Sequence, residues 1–340
     1  MCFRKILITG GCGFLGQYVI QTLLSTIPNI SIKVVDIKDR YLKLFDYGCN
    51  DVEFIIGKNI SDYNSIRQEF VGVDAVIHLA GLVSFSYVDR DLLREVNVLG
   101  TRSVLRASEE AKVSKFLHIS SVAAFGYTND PNVLAEENFL FDWEIAKRKK
   151  KYYMLSKYEA DQEVLATCKR GFNATIVAPG LMLGPGDFAN SVKLIRAIAE
   201  KKIPFNPPGG TNIVDVRDVA CGIVQLLQQP KGRPVYFLSG ENLTLEEVHR
   251  VIAGHLKTDP PRFKLPRCLR DPLFLFTLFL EKTRREKISL SADNIDSAFC
   301  FRYFSNKRAF EDIRWAPKIS FSETIHQTIE WMKTHGLFTK

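Results

Sequence analysis

Seven cysteines are scattered along the 340 residues, at Cys2, Cys12, Cys49, Cys168, Cys221, Cys268 and Cys300, and no two of them form a CxxC pair. An odd, dispersed set excludes a disulfide framework and offers no zinc or other metal site, and it points to a reducing compartment. A long apolar run is also missing. The most apolar stretch, at 272–280, is far shorter than the roughly 20 residues that a membrane-spanning helix requires. Met1-Cys2-Phe3-Arg4 leads straight into a strand pattern, without the separate apolar segment and cleavage site of a secretory signal. A cytoplasmic protein, or one on the cytosolic face of a membrane, is therefore expected. The net charge of +8 has no zinc-finger, RNA-recognition or homeodomain pattern beside it, so nucleic acid is not an expected partner. The 46% hydrophobic and 25% charged composition excludes disorder and supplies a sizeable core.

Order along the chain comes from short β-branched runs alternating with helical patterns. Ile6-Leu7-Ile8-Thr9 reads as a buried strand that ends in glycines and turns into a helix over 14–25. Strands at 32–36, 54–56, 75–79, 115–120 and 174–178 repeat the theme, with the clearest helices at 92–111 and 153–168. Such alternation predicts an α/β fold, a doubly wound parallel sheet with right-handed crossovers. Past residue 180 the Pro- and Gly-rich stretches at 184–186 and 204–210 mark loops around a helix near 189–202. A helix at 216–229, a strand at 235–238 and a Thr244/Glu247 capping box follow. We therefore expect a dinucleotide-binding domain over 1–180 and a smaller, discontinuous C-terminal substrate lobe over 181–340, with 211–240 returning to the first domain.

Gly10, Gly13 and Gly16 follow the first strand and open its helix. Glycines there allow positive φ and close approach of backbone to a phosphate, while the helix N-terminal amides hold the anion. Asp36 ends the next strand, where an acid accepts hydrogen bonds from an adenosine ribose and repels a 2′-phosphate. That favours NAD over NADP, although Lys38 and Arg40 nearby lean the other way. Further on, Tyr153 and Lys157 stand one helical turn apart, so the lysine charge can stabilise a phenolate on the same face. Tyr152 faces elsewhere. Ser121, closing a strand at Ser120-Ser121, can hydrogen-bond the reacting oxygen. Tyr153 then takes a hydroxyl proton while hydride passes to a nicotinamide.

With these residues in view, the chain closely resembles the extended short-chain dehydrogenases/reductases, the NAD-dependent epimerase/dehydratase superfamily with its Rossmann-type sheet. The His78-Leu79-Ala80-Gly81 segment, the Val96–Thr101 asparagine helix motif and the Ser120–Gly126 serine strand all match. The resemblance implies that Phe14 and Leu15 join the glycines at the cofactor, that Ala80, Gly81 and Pro179 line it, and that Asn97 and Lys157 lie near the nicotinamide ribose. His78 reads as a packed structural histidine. Many relatives carry Asp in a Gly-Asp-Leu/Ile segment where this chain has Lys58-Asn59-Ile60, so Asn59 and Ile60 are the adenine-side candidates. The branch it looks most like holds 3β-hydroxysteroid dehydrogenases, sterol 4-carboxylate dehydrogenases and dihydroflavonol reductase-like proteins. That implies an apolar, sterol-like or polycyclic alcohol or ketone, with Ser84, Leu181 and Met182 as substrate-side candidates, and a homodimer through the helices at 92–111 and 153–168. Nucleotide-sugar enzymes commonly carry Arg and Asn after the sixth strand, matched here by Ala178 and Leu181. Ser121 is followed by Val122-Ala123 rather than the acids of sugar dehydratases. A nucleotide-sugar 4-epimerase using the same tyrosine, and an NAD(H)-sensing protein without turnover, remain the alternatives. The apolar stretch 272–280, with Lys282, Arg284, Arg285 and Lys287 after it, reads as an internal helix, a substrate-pocket wall or a peripheral membrane contact. The cationic run 147–151 reads as a solvated loop or helix start, or as an attractor for an anionic substrate or membrane.

Overall fold

Strands whose residues are aliphatic on both faces must be covered on both, and several runs of this chain meet that demand. Ile6, Leu7 and Ile8 have no exposed surface, nor do Ala75, Val76, Ile77 and His78. The computed structural model describes residues 3–39, 47, 51–284 and 290–338; Cys2, Arg40, Cys49, Arg285 and Lys287 lie outside the described residues. In chain order the strands are β1 (Lys5–Thr9), β2 (Ser31–Asp36), β3 (Val52–Ile56), β4 (Ala75–His78), β5 (Lys115–Ile119), β6 (Ala174–Pro179) and β7 (Leu181–Leu183). They continue as β8 (Phe205–Asn206), β9 (Gly210–Asp215), β10 (Val235–Leu238), β11 (Glu241–Thr244), β12 (Phe263–Lys264) and β13 (Phe301–Arg302).

Seven of these strands form one sheet in the order β10-β6-β5-β4-β1-β2-β3, and every pairing within it is parallel. The order reverses between β1 and β4, which opens a crevice at the carboxyl ends of those two strands. On one face the helices Phe14–Thr26 and Val216–Gln228 bury Val19, Ile20, Leu23, Val219, Ile223 and Leu227 against Ile6 and Ile8. On the other, Gly100–Glu110 and Tyr152–Lys169 bring Val104 and Val164 onto Leu7, Val76 and Phe116.

The smaller lobe is built on β9, which pairs antiparallel with β11 and parallel with β7 and β13. Helices Ser191–Ala199, Leu245–Leu256 and Phe321–Thr334 close a separate core around Ile195, Ile252, Ile325 and Ile329. The capping box is formed: Glu247 N donates to Thr244 Oγ1 at 3.2 Å, and Thr244 N donates to Glu247 Oε2 at 2.8 Å.

Two expectations change in detail. The strand Gly210–Asp215 pairs in the small sheet rather than the main one, although its Val214 packs into the core beside Ile6 and Ile8 together with the following helix and β10. The helix expected across 92–111 is interrupted: Arg90–Leu93 and Gly100–Glu110 are α-helical, while Arg94–Leu99 is a π-helical turn. A π turn inserts a residue without disturbing the apolar pattern enough to be read from it, and such turns often sit at functional sites.

Candidate active site

The glycine turn lies at the crevice. Gly10 has φ +72°, and a Cβ there would come within 2.6 Å of the Ala80 backbone, so the end of β1 touches the segment after β4 only because Gly10 lacks a side chain. Gly16 lets its helix settle on the turn, since a Cβ would lie 2.3 Å from Gly11 O. The helix starts at Phe14 with Gly13 as its N-cap, no side-chain cap and no acid in the first turn. Its N–H groups and dipole are therefore left for an external anion, as a pyrophosphate requires. Across this turn the Asp36 carboxylate accepts from Cys12 N at 3.0 Å and from Ile37 N at 2.7 Å, so it is held at the rim where a ribose would lie. Asn59 Oδ1 accepts from Ser61 N at 3.0 Å, and Ile60 is buried against Gly100. These residues fit a dinucleotide.

The opposite wall is organised by a hydrogen-bond chain that starts at β1. Thr101 Oγ1 donates to Asn97 O at 2.6 Å, so it accepts from His78 Nε2 at 2.9 Å, and His78 Nδ1 in turn accepts from Thr9 Oγ1 at 2.6 Å. Both ring nitrogens are thus used, and burial holds His78 neutral, its pKa well below the ordinary value. The expectation of a structural histidine matches this geometry. Asn97, on the π turn, accepts from Leu82 N at 2.7 Å and donates to Leu82 O at 3.0 Å and to Ser156 Oγ at 2.9 Å. Its amide fixes the segment after β4, and a Cβ on Gly81 would sit 3.3 Å from Asn97 Oδ1 and 4.0 Å from Lys157 Nζ.

Tyr153, Lys157 and Ser121 converge beside that wall. Ser121 hydrogen-bonds the Tyr153 hydroxyl and also accepts from Ala123 N at 3.2 Å. Lys157 Nζ donates to Ile119 O at 3.0 Å, which anchors the lysine to the end of β5. Burial pushes the Tyr153 phenol up to about 12, against the pull of the Ser121 hydrogen bond. Burial also brings Lys157 down to about 8, while the charge of Asp161 acts to hold it up. Asp161 is itself raised to about 7 by burial, opposed by Lys157 and by the Ser120 hydroxyl, which donates at 2.9 Å. His118 Nε2 stands 3.2 Å from Asp161 Oδ1, and burial together with the lysine charge keeps that ring neutral. With these groups alone Tyr153 stays protonated at neutral pH, the form that donates to a ketone oxygen.

A model of the NAD dependent epimerase/dehydratase family matches residues 6–237. The chain belongs to this family. It is 27% identical over 97% of its length to a putative dihydroflavonol 4-reductase of Synechocystis sp., covering 94% of that protein. It is 28% identical to sterol demethylase protein B of Methylococcus capsulatus, over 78% of this chain and 81% of the other. The structure of gox2253 superposes over 99% of this chain and 100% of its own with a TM-score of 0.83 and 26% identity. The dTDP-glucose 4,6-dehydratase DesIV of Streptomyces venezuelae shares the fold, with a TM-score of 0.77 and 19% identity over 98% of this chain and 99% of its own. The chain is thus an NAD(P)-dependent oxidoreductase of the short-chain dehydrogenase/reductase type.

Within this epimerase/dehydratase-family site the structure places several residues that the sequence singled out. Ala178 does not follow the sixth strand but lies within β6, fully buried, because the strand runs on through Pro179; it cannot report on a missing substrate cation. Leu181, on β7, is 36% exposed, and Met182 packs partly into the core. The Ser84 hydroxyl donates to Asp89 Oδ2 at 2.6 Å and shapes its own loop. The run 147–151 is no uniformly solvated stretch. Lys151 is fully buried, with Nζ 2.8 Å from Asp293 and 2.9 Å from Asp296, and Lys149 pairs with Asp296 at 3.3 Å. Their partners lie some 140 residues on in sequence, which local reading does not reveal.

Three residues at the site were not singled out from sequence. Asp161 was legible, being one turn beyond Lys157 as Lys157 is one turn beyond Tyr153. His118 and Phe85 carried no such signal. Phe85 packs edge-on against Tyr153 with ring centroids 5.4 Å apart, whereas Tyr152 turns away onto Tyr87 at 5.7 Å. Two surface clefts, of about 210 and 320 Å³, lie away from this site, one between 213–215 and 317–321 and one between 229–233 and 312–313.

Proposed function

We propose that this enzyme interconverts a secondary alcohol and a ketone on an apolar, sterol-like or polycyclic substrate, with NAD as the hydride carrier. The observation that carries the substrate class is Phe85, an aromatic ring 37% exposed and packed edge-on against the Tyr153 ring, on a segment that also exposes Val83. Relatives named for sterol chemistry support it: besides sterol demethylase protein B, the sterol-4-alpha-carboxylate 3-dehydrogenase of Bos taurus is 24% identical over 96% of this chain and 92% of its own. NAD is preferred to NADP because the Asp36 carboxylate, fixed by Cys12 N, repels a 2′-phosphate.

When bound, the nicotinamide accepts or gives the hydride. The protein positions and protonates: Ser121 and Tyr153 bind the carbinol or ketone oxygen, and Tyr153 exchanges its proton with it. Lys157, anchored to Ile119 O and favoured in its charged form by Asp161, supplies the cation that stabilises phenolate. The surface formed by helices Gly100–Glu110 and Tyr152–Lys169, cross-linked by Arg102–Glu163, is the face we propose to pair in a homodimer.

The reading is tested by incubating purified protein with NAD and a panel of hydroxysteroids, flavonoids and UDP-sugars, following nicotinamide absorbance and products. NADH formation with a hydroxysteroid or polycyclic alcohol supports it. UDP-sugar interconversion without net NADH identifies a 4-epimerase instead, and NAD binding with no turnover on any member identifies a sensor.

A further inference from the structure

The helix Arg270–Arg284 holds the chain's longest apolar stretch, yet it is not an internal helix. Phe274, Thr277 and Glu281 are buried, whereas Leu275, Phe276 and Phe279 are 61%, 62% and 63% exposed. Pro272, Leu275, Phe276 and Phe279 recur at helical spacing and make one outward stripe, continued by exposed Lys282. The acids of the helix are drawn away from it. Asp271 pairs with Lys149 at 2.6 Å, and buried Glu281 accepts from Tyr87 N at 3.2 Å and Ala292 N at 3.1 Å. What faces outward is therefore an apolar stripe ending in Lys282 and Arg284, while the exposed Asp271 carboxylate at the opposite end of the helix is paired with Lys149.

We propose that this stripe docks on an anionic lipid surface and sets the mouth of the catalytic site there. Large aromatic side chains over a basic end match the boundary between acyl chains and acidic headgroups. No helix among the described residues is long and apolar enough to cross a membrane, so the contact is peripheral. The helix is held firmly to the catalytic one, since Arg270 Nε donates to Asp296 at 2.8 Å and Asp296 also binds Lys151, two residues before Tyr153. The segment 82–89 forms the second link. Leu82 is clamped by Asn97, Phe85 lies on Tyr153, and Tyr87 is bound to Glu281 and stands 5.9 Å from Lys282. The same segment exposes Val83 and Val88 to 61% and 42%. A lipid-dissolved substrate thus has an apolar path from stripe to tyrosine. That path rests on the apolar-substrate reading; the docking does not.

The test is flotation of the full chain with phosphatidylcholine vesicles, with and without about 30% phosphatidylserine, at low and high salt. The wild type floats with the anionic vesicles, and salt weakens the association. Phe276→Ser/Phe279→Ser and Lys282→Glu/Arg284→Glu each weaken it about tenfold or more while NAD binding and melting temperature stay as in the wild type. Equal binding to neutral and anionic vesicles, or unchanged binding in both variants, overturns the docking. So does conversion of a wild-type dimer to monomer by the phenylalanine pair, which would make the stripe an interface between copies. Docking needs no substrate, so it holds even if the enzyme proves to be an epimerase. In that case vesicle-borne hydroxysteroid is not turned over and only the path fails.

Discussion

At the scale of single residues, the arrangement turns on where three protons sit. Burial works against both the Tyr153 phenolate and the Lys157 cation, and the charge of Asp161 acts to keep that lysine protonated. A lysine is charged below its pKa, so removing the carboxylate moves the loss of charge to lower pH. Asp161→Asn should therefore shift the alkaline limit of kcat down by about one pH unit or more, while KM for NAD changes little and Asp161→Glu restores the wild-type profile. Superimposable pH–rate profiles for wild type and Asp161→Asn would show that Asp161 only fills space. Much of this site was legible in sequence because its parts lie within one helix or one turn: Gly10, Gly13 and Gly16, or Tyr153 and Lys157. Phe85 was not, since nothing local says that a loop residue after β4 will meet a helix some seventy positions later.

Elements bring these residues into register, and their fit is set by small clearances and buried charge. Gly16→Ala places a methyl group 2.3 Å from Gly11 O. The helix must then lift from the turn, costing about 1–3 kcal/mol of stability by thermal or urea unfolding and weakening NAD binding. Lys151 joins the start of the catalytic helix to the helix Ala292–Ser297, and Asp296 stays well below the usual carboxylate range because Lys151 and Arg270 outweigh the opposing effect of burial. Lys151→Met leaves two buried carboxylates short of a partner, so unfolding free energy should fall by about 3–5 kcal/mol. Cationic patterning alone had suggested a solvated run at 147–151. The charge pattern of a segment states its valence and not its partners, which here come from the far end of the chain. The seven strands of the main sheet, by contrast, were read to within one or two residues from their apolar runs, whereas the short strands of the smaller sheets, such as Leu181–Leu183 and Gly210–Asp215, were not read at all.

For the whole molecule, two cores and the join between them decide how stability responds to pH. His249, in the smaller lobe, has Nδ1 2.8 Å from Asn206 Oδ1, and burial lowers its pKa from 6.5 to about 4. A base whose folded pKa is depressed stabilises the fold above its unfolded pKa, and that contribution is lost as pH falls from 6.5 through 4. At about pH 5 the loss is roughly 2 kcal/mol. The drop in Tm between about pH 7 and about pH 5 should accordingly be smaller in His249→Asn than in the wild type; an equal drop would place the titration elsewhere. The parallel sheet and the dinucleotide crevice followed from sequence order, whereas the π turn at Arg94–Leu99 and the outward face of Arg270–Arg284 emerged only with the packed molecule. The claim on which the rest depends is that Tyr153 moves the proton coupled to hydride transfer. Its most direct test is the rate of NAD reduction by Tyr153→Phe beside wild type, on a substrate found in the panel, with NAD affinity measured separately. The account predicts a fall of about 10²–10⁴-fold in rate with NAD binding intact, and a variant that reduces NAD at the wild-type rate would contradict it.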